Sequence, residues 1–174
     1  TSAANGKVFS NIFNYPANYW NGASHAVNHA IADSGGDISC KTIALVYHNS
    51  AYGKEPIRTL EELSKKHGYK LSLLAVDHPG QEQKSQWLQI RREKPDYVTM
   101  WGWGVMNPVA IQEAINLRFP MAKFIGFWWS GAEHDVLPAG AGADGYKAVT
   151  FNNVGSDFPV FDHSQTHVVE AGLA

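Results

Sequence analysis

Residues 97–110 read YVTMWGWGVMNPVA. A run of β-type residues gives way, across Gly102 and Gly104, to a helix start. Asn107 is the expected N-cap, Pro108 suits the first helical position, and Ile111, Ala114 and Ile115 follow at the spacing of one inward face. The stretch is one βα unit. Its glycines let the backbone turn tightly and approach another molecule, while Trp101 and Trp103 supply flat walls at the mouth of the strand.

The same unit recurs in both directions along the chain. Apolar, β-branched runs occupy residues 41–47 (KTIALVY), 70–76 (KLSLLAV), 96–102 (DYVTMWG), 123–128 (KFIGFW) and 146–151 (YKAVTF), with starts about 26 residues apart. Their hydrophobicity is nearly continuous rather than alternating, which predicts strands buried on both faces, as in a parallel sheet. Helices fill the gaps. Ile57, Leu60 and Leu63 form one stripe, with Pro56 in the first turn and Gly68 placed to end the helix. A second helix over about 81–94 carries Trp87, Leu88 and Ile90 and must stop near Pro95. Another, roughly 18–32, precedes the first strand with Trp20, Ala23, Val27 and Ile31 inward, and Ser34-Gly35-Gly36 closing it. The expected fold is α/β, a doubly wound and mostly parallel sheet with right-handed crossovers. After about residue 152 the pattern changes to a loop and a helix, and a lobe boundary is expected there.

Composition narrows the function classes. The 174 residues are 44% hydrophobic and 17% charged, which excludes disordered and fibrous classes and suits one domain, or one lobe and part of a second. Fourteen basic against sixteen acidic residues leave a net charge of −2. That balance argues against a nucleic-acid partner, which needs a basic excess. The single cysteine, Cys40, excludes an internal disulfide. No segment approaches the roughly 20 apolar residues of a membrane span, and the first residues lack the apolar run of a signal peptide. Both ends read as cut from a longer protein.

In an open α/β sheet, ligands bind outside the carboxyl ends of the strands. The first strand opens into HNSAYG with Ser50 and Tyr52, the second into DHPGQ, the third into GWGVMN with Trp103, and the fourth into WSGAEHD with Trp128 and Trp129. Three of four mouths carry aromatic rings and few charges, the makings of a small-molecule pocket. Tyr52, Trp101, Trp103, Trp128 and Ser50 are the expected ligand contacts. Asp77-His78 does not read as a catalytic pair, because adjacent residues on an extended chain point opposite ways and no nucleophile elbow accompanies them; both read as solvated loop residues. His25/His29 and His163/His167 have metal-compatible spacing but lack a further ligand, and read as exposed helical histidines. No metal, cofactor or catalytic residue is expected.

The stretch from KTIALVYHNSAYG through HGYKLSLLAVDHPGQEQKSQWLQIRREKPDYVTMWGWG to KFIGFWWSG and ADGYKAVTF resembles the second lobe of periplasmic substrate-binding proteins of branched-chain amino acid type ABC transporters. The resemblance runs over roughly 8–170. It implies a type I periplasmic binding fold: residues 1–17 the crossover from the first lobe, 18–152 the second α/β lobe, and 153–174 the return crossover and a first-lobe helix. It further implies a non-enzymatic protein, periplasmic or lipid-anchored outside the cell, that captures a small organic ligand in an interlobe cleft. Delivery would be to an ABC transporter permease, the only route to the membrane. A ligand-sensing regulatory domain of the same fold is the alternative. By resemblance Tyr52 lines the cleft and Trp103 adds an aromatic contact. Where amino acid binders commonly offer a carboxylate to the ligand's ammonium, this chain has Phe127-Trp128-Trp129. A buried ammonium without a counter-charge is costly, so an aromatic acid, an amide or a cation held by ring faces fits better.

Overall fold

The computed structural model describes residues 5–13, 17–151, 155 and 157–172. Its elements run α1 (Tyr19–Asp33), β1 (Thr42–His48), α2 (Ala51–Lys54), α3 (Ile57–His67), β2 (Lys70–Val76), α4 (Lys84–Glu93), β3 (Tyr97–Trp101), α5 (Met106–Asn116), β4 (Phe124–Gly126), α6 (Glu133–Val136), β5 (Lys147–Ala148) and α7 (Pro159–Ser164). All five strands are parallel, in the order β2-β1-β3-β4-β5.

Side-chain alternation divides the core into two layers. Ala44, Val46, Val98 and Met100 pack with Trp87, Ile111 and Phe124 on the α4/α5 face. Ile43, Leu45, Tyr97 and Trp101 pack with Ala23, Val27, Leu60 and Phe127 on the α1/α3 face. Every residue of β3 is buried. A strand covered on both faces needs apolar groups at even and odd positions alike, and for that reason the runs lack alternation.

Several details depart from expectation. Leu88 is 60% exposed, and α4 begins at Lys84. Trp20 is 40% exposed, because the inward face of α1 is built from Ala23, Ala26, Val27 and Ala30, small residues that let the helix lie close to the sheet. β4 and β5 pair over only three and two residues. The short helix α2 was not foreseen. α5 starts at Met106, so Asn107 lies inside its first turn rather than capping it. Asn107 is instead buried, and its Nδ2 donates to the Trp129 carbonyl at 2.7 Å and to Asp135 Oδ2 at 3.0 Å.

α1 is fastened at its C-terminal end. Asp33 accepts from Lys123 Nζ and, at 2.8 Å, from Tyr97 Oη, joining the helix to the starts of β3 and β4. Fifteen helical residues span about 22 Å, and seven strand residues about 23 Å. A helix fixed at the strands' amino ends therefore delivers its first residue, Tyr19, to their carboxyl ends.

Two tests follow from these contacts. The hydrogen bonds from Lys123 and Tyr97 hold the Asp33 carboxyl down at about 2, below its ordinary value. A depressed carboxylate stabilises the fold above its unfolded value near 3.8, and that contribution is lost as pH falls through about 2. Asp33→Asn will lower the urea midpoint at pH 7, and the difference from the unaltered protein will shrink between pH 4 and pH 2. Asn107→Ala removes the amide that donates to buried Asp135 and to the Trp129 carbonyl and will cost about 1–3 kcal/mol in chemical denaturation; an unchanged midpoint would contradict the role given to that amide.

Candidate functional site

The carboxyl edge of the sheet collects side chains from four loops and the start of α1. Beyond β1, Ser50 caps α2 by accepting from the Gly53 amide at 3.3 Å. A Cβ on Gly53 would lie 1.8 Å from the His48 carbonyl oxygen, so only glycine lets α2 fold back tightly enough. That turn swings Tyr52 over the sheet edge, where its Oη donates to the Gly102 carbonyl at 3.0 Å. Burial, with the neighbouring Tyr19 and Tyr146 phenols, pushes the Tyr52 hydroxyl well above its ordinary range, so it stays a neutral donor.

Beyond β2, the turn through Pro79-Gly80 is held by Gln83. Its buried Nε2 donates to Gly80 O at 2.6 Å and to Met106 O at 2.9 Å, and its Oε1 accepts from Trp87 Nε1. The PGQEQ segment is thereby tied to the start of α5, leaving His78 beside His48, ring centroids 5.8 Å apart. Asn49 Nδ2 donates to Asp77 Oδ1 at 2.6 Å. Burial lowers the His48 pKa, His78 lowers it further, and Asp77 opposes them.

Beyond β3, Gly102 lies against Asn107, whose Oδ1 a Cβ would meet at 2.1 Å. Trp103 then emerges 52% exposed. Beyond β4, a turn of 3₁₀ helix over Trp128–Ser130 is fixed by the Ser130 hydroxyl, which accepts from the Phe127 amide at 2.8 Å. Successive residues in such a turn point about 120° apart, and the two adjacent indoles diverge.

Tyr19, Tyr52, Trp103 and Trp129, with His48, Ser50 and His78, enclose a hollow of about 490 Å³. Neighbouring rings meet at steep angles: Tyr19–Tyr52 at 5.4 Å and 66°, Tyr52–Trp103 at 6.2 Å and 69°, Trp103–Trp129 at 5.5 Å and 65°. Trp129 Nε1 donates to Tyr19 Oη at 3.1 Å and closes the circuit. None of the lining residues is an acid, a lysine or an arginine.

Of the five expected contacts, Tyr52, Trp103 and Ser50 line this hollow. Trp101 does not. It shares strand parity with Tyr97, faces α1, and is fully buried, stacked 3.7 Å from Phe127. Trp128 does not either: it stacks on Tyr19 at 5.5 Å and on Phe151 at 4.2 Å, and lines a second hollow of about 700 Å³ with His25, His29, Ile125 and Lys147. His25 is exposed, whereas His29 is half-buried against that hollow. Sequence reading placed Trp129 at the fourth mouth without counting it a contact and did not single out Tyr19 or His48; His78 is an exposed turn residue, as expected, that also borders the hollow. No three histidine, cysteine or acidic side chains come together as a metal site among the described residues, and no described helix is long and apolar enough to cross a membrane.

Residues 1–159 match the family model described as periplasmic binding protein. No curated protein matches the chain. Among solved structures, an ABC transporter permease from the Pseudomonas fluorescens group is 40% identical with a TM-score of 0.90, over 99% of this chain and 42% of that one. A branched-chain amino acid ABC transporter protein from Thermus thermophilus with bound valine is 16% identical, TM-score 0.71, covering 91% and 41%. A solute-binding protein from R. palustris in complex with benzoate is 20% identical, TM-score 0.66, covering 87% and 41%. This chain thus spans about two fifths of the length of each. The latter two show the fold alone, one lobe of the type I periplasmic binding architecture. With nine tenths of its residues on the family model, the chain belongs to the periplasmic binding proteins, a family of solute-binding proteins rather than enzymes.

Proposed function

We propose that this chain is the second lobe of a two-lobed solute-binding protein, with residues 1–17 arriving from the first lobe and 153–174 returning to it. The protein captures a small organic solute between the lobes, outside the cytoplasm, and hands it to an ABC transporter permease. The hollow at the strands' carboxyl edge carries this reading: four aromatic rings and three small polar groups, with no charged group, are suited to desolvating a flat or apolar ligand. Trp103 and Trp129 remain about half exposed. Covering them with a ligand returns roughly 2–3 kcal/mol per ring. Proteins of the same fold bind valine and benzoate, so both an amino acid and an aromatic acid are within reach of this architecture. The absence of an acid among the lining residues favours the aromatic acid or an amide over an α-amino acid.

Titrating the two-lobed protein with amino acids, aromatic acids and amides will quench tryptophan fluorescence for at least one solute. Trp103→Ala will weaken that solute by about 2 kcal/mol, some thirtyfold. A silent panel, or full affinity in the variant, would contradict the assignment.

A further inference from the structure

The polar side of the hollow has its own chemistry. The Tyr52 hydroxyl is committed to the Gly102 carbonyl and the Trp129 indole N–H to Tyr19, so those rings offer mainly carbon surface. Two imidazoles and Ser50, whose Oγ accepts from the Gly53 amide, share the lining with them. His48 ends β1 and His78 follows β2, its parallel neighbour. Their rings face each other edge to face at 5.8 Å, close enough to flank one small group.

We propose that His48 and His78 form an anion-reading end of the hollow, that the ligand is an aromatic monocarboxylate whose ring lies along Tyr52, Trp103 and Trp129, and that binding takes up a proton. This rests on the hollow being the ligand site.

A carboxylate presents two oxygens and accepts from both imidazoles at once, whereas an amide presents a single oxygen. A primary ammonium would find no carboxylate among the lining residues. The charged group acting on His48 is Asp77, whose Oδ1 is engaged by Asn49, and the Tyr52 and Tyr19 rings share the lining with the pair. In the free protein, burial and the second imidazole outweigh Asp77 and hold the His48 imidazole below its ordinary value. A bound carboxylate reverses that balance and raises the imidazole pKa. The complex then holds more protons than the free protein. Affinity is greatest below the free-state pKa and declines as pH rises through the raised pKa of the complex.

The test is calorimetry on the two-lobed protein with benzoate, benzamide and benzyltrimethylammonium, at pH 5.5 and pH 8, in buffers of different ionisation enthalpy. Benzoate is expected to bind tightest of the three, about tenfold tighter at pH 5.5 for one unit of pKa shift, with net proton uptake. His48→Gln and His78→Gln are expected to flatten the pH dependence; proton uptake by the unaltered protein tests the proposal without any variant. Benzoate affinity independent of pH with no proton uptake would overturn it, as would failure of benzoate to bind. Tighter binding of the amide or the cation would overturn it while leaving the solute-binding assignment intact. Silence from these probes and from the wider solute panel would remove both.

Discussion

Because all five strands point the same way, every strand-to-helix loop leaves from one edge of the sheet. That directional constraint underlies everything else in the lobe. Parallel pairing requires crossovers, the crossovers put helices on both faces, and the doubly covered strands must be apolar throughout. The side chains at the carboxyl edge are thereby those of the loops and of the start of α1. The core seals its large side chains Trp87 and Trp101 in opposite layers beneath the loops.

The hollow is held by backbone approaches as much as by rings. Gly53 beneath the His48 carbonyl and Gly102 against Asn107 bring their loops closer than any side chain would permit. Buried amides then fix the loops to one another: Gln83 joins the second to α5, and Asn107 joins α5 to the fourth. The rings are carried on this frame. α1 contributes Tyr19 from outside the loop set, placed by the Asp33 anchor a strand's length away. Two exposed indoles are unfavourable in water, and on the proposed reading a ligand covers them.

How far the fold could be read from sequence follows from the same constraint. Continuous apolar runs, Gly68 at the end of α3 and Pro95 after α4 report local backbone and burial, and the parallel direction of the strands came out as expected. The ring positions were harder. Trp101 and Trp103 look equivalent in the string, yet strand parity ties Trp101 to Tyr97 and the core, while Gly102 releases Trp103 from the sheet. Trp128 and Trp129 diverge within a 3₁₀ turn that no local signal marked. Tyr19 lies 110 residues from its partner Trp129; only the length of α1 could have brought it to the rim. Asp77 and His78 were weighed against each other as chain neighbours, whereas the relevant pairing for His78 is across strands to His48. Asn107 bore the marks of an N-cap, but its amide was needed to satisfy buried Asp135.

The most direct measurement is a crystal structure of the two-lobed protein with a solute bound. The account predicts ligand density enclosed by Tyr52, Trp103 and Trp129, with its polar end toward His48 and His78. Density seated instead in the hollow beside α1 and β5, against Trp128 and Lys147, with the Tyr52–Trp103 rim left to solvent, would contradict it.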